Sequence, residues 1–531
     1  MVRNLILFII ITGIVSCSNQ INQKAVYSFN PDSLVKINGK IIQKSESKVF
    51  RQKTMLISVE QGKNSITLTS GKDSLPWEKA AYLVCELWHN NPYSLIVYAD
   101  FYKKDGKSAT GTIVQQGSTG SVSTQDQPRI SPKVGILPDL KTKLIIPLSH
   151  LDGQQIFMDR FPRQLKGTVM GRRLDKTDIG RVVLRFEPVM SPDYLPIVEI
   201  AAVYLTDSLP EPFEKPEKPY VDEFGQWNLK EWPGKTHSEK ELTDNFRELE
   251  LLAIEAKLPE SWSRFGGWKE KKFNSTGYFK VHNDGKRWWF VDPDGFAFLS
   301  AGIDCIGSNV TGTVSGQEDL FAWLPSDSLY ASAYTNRKTS KLINYLDINL
   351  TRTFGETKRE KWESITSGLL KDWRINTIAN WSDLDFARKM QYPYVLNMRD
   401  FPDTQILLYR DFPDVFSAEY QNNAKLFARQ LETYKNDPFL IGYFLSNEPH
   451  WAFGDNNLAF EMFATNTISE TKKQFVAWLK SKYKDIGTFN KSWNTNVKSF
   501  DDITALTFKE SPSEECWSDC RTFQKLWSIL M

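Results

Sequence analysis

Histidine and cysteine are scarce in this chain. Five of each are spread over 531 residues. The histidines are dispersed, and no His or Cys run has the spacing of a zinc site. Cys85, Cys305, Cys516 and Cys520 are too scattered for a disulfide framework, although Cys516 and Cys520 stand one helical turn apart. There is no phosphate-binding glycine loop, no dinucleotide fingerprint and no Gly-x-Ser-x-Gly elbow. No metal site and no cofactor are expected. Net charge is lacking too: 66 basic residues against 64 acidic ones leave +2. That removes the electrostatic case for nucleic acid or an anionic membrane as partner. What is plentiful is aromatic, with 17 Trp, 19 Tyr and 33 Phe. Aromatic rings pack on the C–H faces of sugars, and they also fill large cores. The length suggests two to four domains.

The start of the chain reads as an address. Arg3 gives a short basic opening, and residues 5–15 are almost wholly apolar. That stretch is too short to span a bilayer and fits a signal-peptide core. It ends Ile14-Val15-Ser16-Cys17, which resembles a bacterial lipobox. Residues 1–17 are thus expected to be a lipoprotein signal with Cys17 as the lipidated residue. The expected place is the bacterial cell envelope, reached by a lipid anchor and not by a spanning helix.

Residues 27–206 read as all-β. The runs 81–88 (AYLVCELW), 94–102 (SLIVYADFY), 143–147 (KLIIP), 181–186 (RVVLRF) and 197–205 (IVEIAAVYL) are rich in β-branched and aromatic residues. Gly, Pro, Asp and Asn separate them, and 106–128 is a polar loop. Short strands at this spacing predict a jelly-roll β-sandwich. Residues 209–219 (LPEPFEKPEKP) carry four prolines and mark a semi-rigid boundary. Residues 207–276 are read as linker and connecting segment, with a charged helix around 238–258.

From residue 277 the pattern alternates strand and helix. A hairpin over 286–298 turns on Asp292-Pro293-Asp294-Gly295, and 296–306 is read as one buried strand. Further strands are expected at 375–380, 394–398 and 440–445. A helix over 417–435 puts Tyr420, Ala424, Phe427, Leu431 and Tyr434 on one face. A later one aligns Ile468, Phe475, Trp478, Leu479 and Tyr483. Apolar strands alternating with helices predict a parallel sheet, here a (β/α) barrel over 277–531.

In such a barrel the chemistry gathers at the carboxyl ends of the strands. Those ends carry Asp304; Asn380, Trp381, Ser382 and Asp383; Arg399 and Asp400; and Asn447 and Glu448, followed by His450 and Trp451. The run 440–445 (LIGYFL) leading into Ser446-Asn447-Glu448 is the sharpest of these signals. It sets an acid, an amide and an aromatic at one mouth. An acid can protonate a glycosidic oxygen, an amide can orient a hydroxyl, and Trp381 and Trp451 can stack on sugar rings. Each residue alone is equally readable as a solvated loop position.

Several segments together resemble the catalytic domain of retaining clan-A glycoside hydrolases, and in particular the β-agarases of glycoside hydrolase family 50. They are 290–295 (FVDPDG), 373–382 (WRINTIANWS), 413–416 (PDVF), 437–448 (DPFLIGYFLSNE) and 480–494 (KSKYKDIGTFNKSWN), with 221–227 and 232–235 ahead of them. They cover roughly half of the chain. The sandwich resembles galactose-binding-like modules in architecture only. The resemblance implies Glu448 as acid/base and Asn447 as the group bonding the 2-hydroxyl. Trp381, Asp383, Arg399, His450 and Trp451 would bind substrate. It implies retaining hydrolysis of a β-linked galactose-containing polysaccharide, with a second carboxylate about 5–5.5 Å away as nucleophile. In the family that nucleophile is a Glu at the end of strand seven.

A β-galactosidase or another clan-A glycosidase is the nearest alternative. A surface lipoprotein that only binds glycan is the alternative of another class. The order of elements also carries an expectation of incompleteness. Four barrel strands are legible up to Glu448, and residues 490–512 offer no apolar run of strand length. A closed barrel needs eight. The barrel is therefore expected to be partial, truncated at its carboxyl side and inactive on its own for want of the nucleophile strand.

Overall fold

The computed structural model describes residues 24–25, 35–38, 41–43, 46–59, 65–69, 76–104, 127–190, 193–326, 328–337, 340–453 and 457–527. Cys17 and nearly all of the 106–128 loop lie outside them. The chain divides into two compact units, Met1–Phe213 and Glu214–Met531. The division falls inside the proline-rich 209–219 segment.

The first unit is a β-sandwich of two six-stranded sheets, antiparallel throughout. One sheet orders Ile41–Gln43, Met55–Ser58, Ile197–Thr206, Tyr82–His89 and Thr142–Pro147, with Lys24–Ala25 also on Ile197–Thr206. The other orders Gln164–Gly171, Ile130–Ile136, Leu95–Lys103, Ile179–Pro188, Ser65–Thr69 and Val35–Asn38. The alternation in the sequence becomes two faces. Leu95, Val97, Ala99 and Phe101 point inward and are fully buried, as are Val182 and Leu184 across the register pair Ala99–Leu184. They meet Leu83, Cys85, Leu87, Val198, Ile200 and Val203 of the facing sheet in one core. Each Val, Leu, Ile or Phe among them contributes about 1.5–3 kcal/mol on burial. The strands Met55–Ser58, Ser65–Thr69, Ile130–Ile136 and Gln164–Gly171 are additions to those expected. In Ile130–Ile136 and Gln164–Gly171 interior Lys, Pro and Gly residues hide the alternation, and Met55–Ser58 and Ser65–Thr69 are only four and five residues long.

The second unit opens on a turn held by Asp222. Its Oδ1 accepts from the N–H groups of Phe224 (2.9 Å) and Gln226 (2.8 Å). Gly225 lies at φ +83°, and a Cβ there would stand 2.5 Å from Tyr345 Cβ. Glu239–Glu255 is the expected charged helix. Ser238 caps it by accepting from the Glu241 N–H, while the Glu241 carboxylate accepts from the His237 N–H. A four-stranded antiparallel sheet comes next, ordered Trp268–Lys272, Phe296–Phe298, Trp288–Val291 and Lys280–Asn283. Its tight turn is set by the fully buried Asp292, which accepts from Ser263 Oγ (2.5 Å) and the Phe296 N–H (2.8 Å).

Four parallel strands then lie side by side in chain order: Gly302–Ile303, Thr377–Ile378, Tyr394–Asn397 and Leu440–Phe444. Helices Tyr345–Phe354 and Lys358–Asp372 return the chain after the first. Leu384–Lys389 does so after the second, and Ala418–Ala428 after the third. This is the β/α repeat of a barrel wall. Among the described residues the parallel sheet has these four strands and does not close. Ile378, Tyr394, Leu396, Leu370 and Phe386 form its core.

Three expectations are corrected. Residues 296–306 are not one strand. Phe296–Phe298 belongs to the antiparallel sheet, Leu299 is 82 % exposed, and the parallel strand begins at Gly302. Asn376 holds the crossing, its Oδ1 accepting from the Ala301 N–H (2.9 Å). Ile468 is half exposed and precedes its helix, Glu470–Tyr483, whose buried stripe is Phe475, Leu479 and Tyr483. The last part of the chain is also more than barrel wall. Helices Leu458–Glu461, Glu470–Tyr483, Ile486–Trp493 and Glu514–Trp527 enclose a second core. Phe463, Phe475, Phe489, Trp493, Cys516, Cys520, Phe523 and Trp527 fill it. Taken singly, these helices have the pattern of barrel helices. Their shared aromatic stripe makes them a cluster of their own.

Candidate functional site

The site is built from the turns that leave the four parallel strands. Two residues after the first strand comes Cys305, at φ +60°. Trp381 (φ +58°) lies beyond the second strand, Asp400 (φ +56°) beyond the third and Glu448 (φ +39°) beyond the fourth. None is glycine, and a left-handed residue with a Cβ costs on the order of 1–2 kcal/mol. Such strain tends to collect where a site needs side chains aimed against the run of the backbone. All four of these turns lie at the carboxyl edge of one sheet.

Hydrogen bonds lace the first two turns together. Asp304 Oδ1 accepts from the Asn380 N–H (3.0 Å), and the Cys305 N–H donates to the Asn380 carbonyl (2.8 Å). The Ile306 N–H donates to Ser382 Oγ (3.1 Å). Trp381, 45 % exposed, meets Phe444 edge to face with centroids 5.6 Å apart. It therefore reaches past the third strand to the one that carries Asn447 and Glu448. Both of those residues are exposed. An exposed ring, an amide and a carboxyl thus share the edge.

The other expected residues divide. Asp383 is engaged elsewhere: it caps helix Leu384–Lys389 through the Phe386 N–H (3.0 Å) and pairs with Arg359 at 2.7 Å. Burial would raise its carboxyl, but the Arg359 hydrogen bond and the Phe386 N–H outweigh this and hold it below the usual aspartate range. Arg399 is exposed, with its backbone tied to Gln430. His450 and Trp451 are half-buried, and their N–H groups donate to Asp411. The Trp451 ring stands edge-on to Phe412 at 5.2 Å and packs on the helical core. Asp411 and its neighbour Arg410 do not stand out in the sequence. Their only signal is a charged pair between Leu408-Tyr409 and Phe412-Pro413, which reads as any turn.

Among the described residues, no group of three or more His, Cys, Asp or Glu could hold a metal ion, and no helix is long and apolar enough to cross a membrane.

Comparison with known proteins bears on this edge. β-Agarase B of Vibrio sp. (strain JT0107) is 28% identical over 324 residues, which are 53% of this chain and 34% of that protein. β-Agarase A of the same strain is 26% identical over 328 residues, 53% of this chain and 32% of that protein. The chain is β-agarase-like. It spans about a third of the length of these curated relatives. Residues 386–516, which include Asn447 and Glu448, match a sequence family described as β-galactosidase. The structure of an exo-β-agarase superposes on the agarase-like chain with a TM-score of 0.55 at 20% identity, over 95% of this chain and 77% of that one. An agarase, AgWH50C, does so with a TM-score of 0.54 at 18% identity, over 96% and 76%. At these identities the structural likeness concerns the fold: β-rich and α/β units in one chain.

Proposed function

We propose that the chain is a glycoside hydrolase of the agarase type, acting on a β-linked galactose-containing polysaccharide. The observation that carries this reading is the carboxyl edge of the parallel sheet. There Asn447 and Glu448 come after the fourth strand, and Trp381 lies exposed against that strand's last residue. In the proposed reaction Glu448 protonates the leaving oxygen, then activates water. Asn447 bonds the 2-hydroxyl, and Trp381 stacks on a sugar ring. A second carboxylate acts as nucleophile in this retaining scheme.

In the resembling family that nucleophile stands on a seventh strand, whereas the described sheet has four. We therefore propose that these 531 residues alone bind galactan without turning it over. Attachment to a membrane face through Cys17 is proposed on the lipobox-like sequence alone.

The experiment is retention on agarose beads combined with release of reducing ends from agarose. Binding by the purified chain without release is expected. Reducing-end release would refute the inactivity, and release abolished by Glu448→Gln would support the acid assignment. Failure to bind agarose or any galactan would sink the function. The match of 386–516 to β-galactosidases favours one second reading, a β-galactosidase. Binding confined to short galactosides, with none to agarose, would select it.

A further inference from the structure

We infer that Arg410 and Asp411 form a positioning pair for Glu448. This rests on the reading of Glu448 as the acid of the site. The register of the fourth strand ends at the Asn397–Phe444 pair, so Glu448 lies four residues beyond the ladder. The next anchors described on this segment are at His450 and Trp451. Asp411 takes both N–H groups, His450 on Oδ2 and Trp451 on Oδ1, each at 2.9 Å. The Arg410 guanidinium donates to the His450 carbonyl, also at 2.9 Å. Three hydrogen bonds with one charged partner each are stronger than neutral ones. Only Pro449, whose φ is fixed by its ring, separates this grip from Glu448.

The grip itself has a firm base. Arg410 is 6 % exposed and stacks on Tyr409, its guanidinium 4.9 Å from the ring centre. Tyr409 and Phe412 on either side are both part of the buried helical core. Arg410 and Glu448 are each in the left-handed region, at φ +54° and +39°. A left-handed residue persists only where its surroundings over-determine it. Here one side is the strand end and the other is this pair. Both oxygens of Asp411 accept backbone N–H groups, which casts it as a support and not as the missing nucleophile.

The test uses the full chain and two ligands, with affinities measured by calorimetry. One is a galacto-configured iminosugar, cationic at pH 6, whose affinity senses where the Glu448 carboxyl stands. The other is a neutral galacto-oligosaccharide, which senses the rest of the edge. Glu448→Gln should weaken the iminosugar about tenfold or more. Asp411→Ala should approach the same loss, about tenfold, Asp411→Asn should fall between, and the neutral ligand should change less than about twofold. Wild-type iminosugar affinity in Asp411→Ala, with a loss in Glu448→Gln, would overturn the pairing and leave the acid reading standing. Equal loss of both ligands in Asp411→Ala and Asp411→Asn would reduce the pair to a structural pin and overturn it too. Unchanged iminosugar affinity in Glu448→Gln, or a wild-type chain that binds neither ligand, would remove the acid reading and this inference with it.

Discussion

Leu184 in the sandwich and Tyr443 in the parallel sheet both sit within strands of apolar sequence. Leu184 is fully buried and Tyr443 is 50% exposed. Leu184 lies between two sheets whose inward rows interdigitate in one core. Tyr443 lies in a strand with a described neighbour on one side, Tyr394–Asn397, and Leu445 just beyond it is also half exposed. Strand propensity is therefore not what separates the two regions. A second layer is. The sandwich covers both of its inner faces with its own residues. The carboxyl edge of the parallel sheet leaves polar and aromatic groups uncovered.

The contrast can be broken by substitution. Trp493→Ala should have the largest effect. The side chain is fully buried against Phe463, Phe475 and Phe489, and its Nε1–H donates to Asp519 (2.9 Å). A loss of about 3–5 kcal/mol is expected in urea unfolding. Leu184→Ala in the sandwich should cost about 2–5 kcal/mol. A loss under about 1 kcal/mol at either position would mean that the core described there is loosely packed.

Acidity separates the two units further. His89 in the sandwich is held at about 4, below its usual 6.5, by burial opposed by the carbonyls of Ile136 and Leu137. The unfolded chain then takes up the proton first, so sandwich stability should fall as pH drops from 6.5 toward 4. His89→Leu should flatten that slope in melting curves. Lys472 in the helical core is held at about 8, below 10.5, by burial. Its Nζ donates to the Leu506 carbonyl and lies 4.9 Å from the Phe463 ring centre. Burying the charge costs most below pH 8, and stability should rise between pH 8 and 10.5. Lys472→Met should stabilise by about 1–3 kcal/mol at pH 7, and that advantage should shrink above pH 8. The smallest effect belongs to the open strand. Tyr443→Ser should stay within about 0.5 kcal/mol, and a larger loss would show that this strand is better covered than its exposure indicates.

The same contrast explains what could be read from sequence. Alternation at 94–102 and 181–186 predicts the sandwich because period two survives wherever one face is buried. The run 440–445 predicts a parallel strand because a strand with apolar residues on both faces has no polar phase. The edge was legible as far as chain order reaches: Asn447 and Glu448 come after a strand, and so does Trp381. Contacts made across the fold were not. Nothing local to Asp383 says that Arg359 will claim it, or that Asp411 will meet the backbone of residues about forty positions later. The helical cluster escaped for a related reason. Phe463, Phe489 and Trp493 are apolar at spacings that any amphipathic helix shows, and only their convergence defines a core.

Cys305 has one more consequence. Cys85, Cys516 and Cys520 are buried, whereas Cys305 is exposed, two residues past the first parallel strand. The native sequence thus carries its own attachment point for a probe at the rim where Trp381 and Glu448 stand. A maleimide dye placed there would report, through quenching by Trp381, a ligand that reaches the rim, and a nitroxide there would report how mobile the rim is, both without a designed substitution.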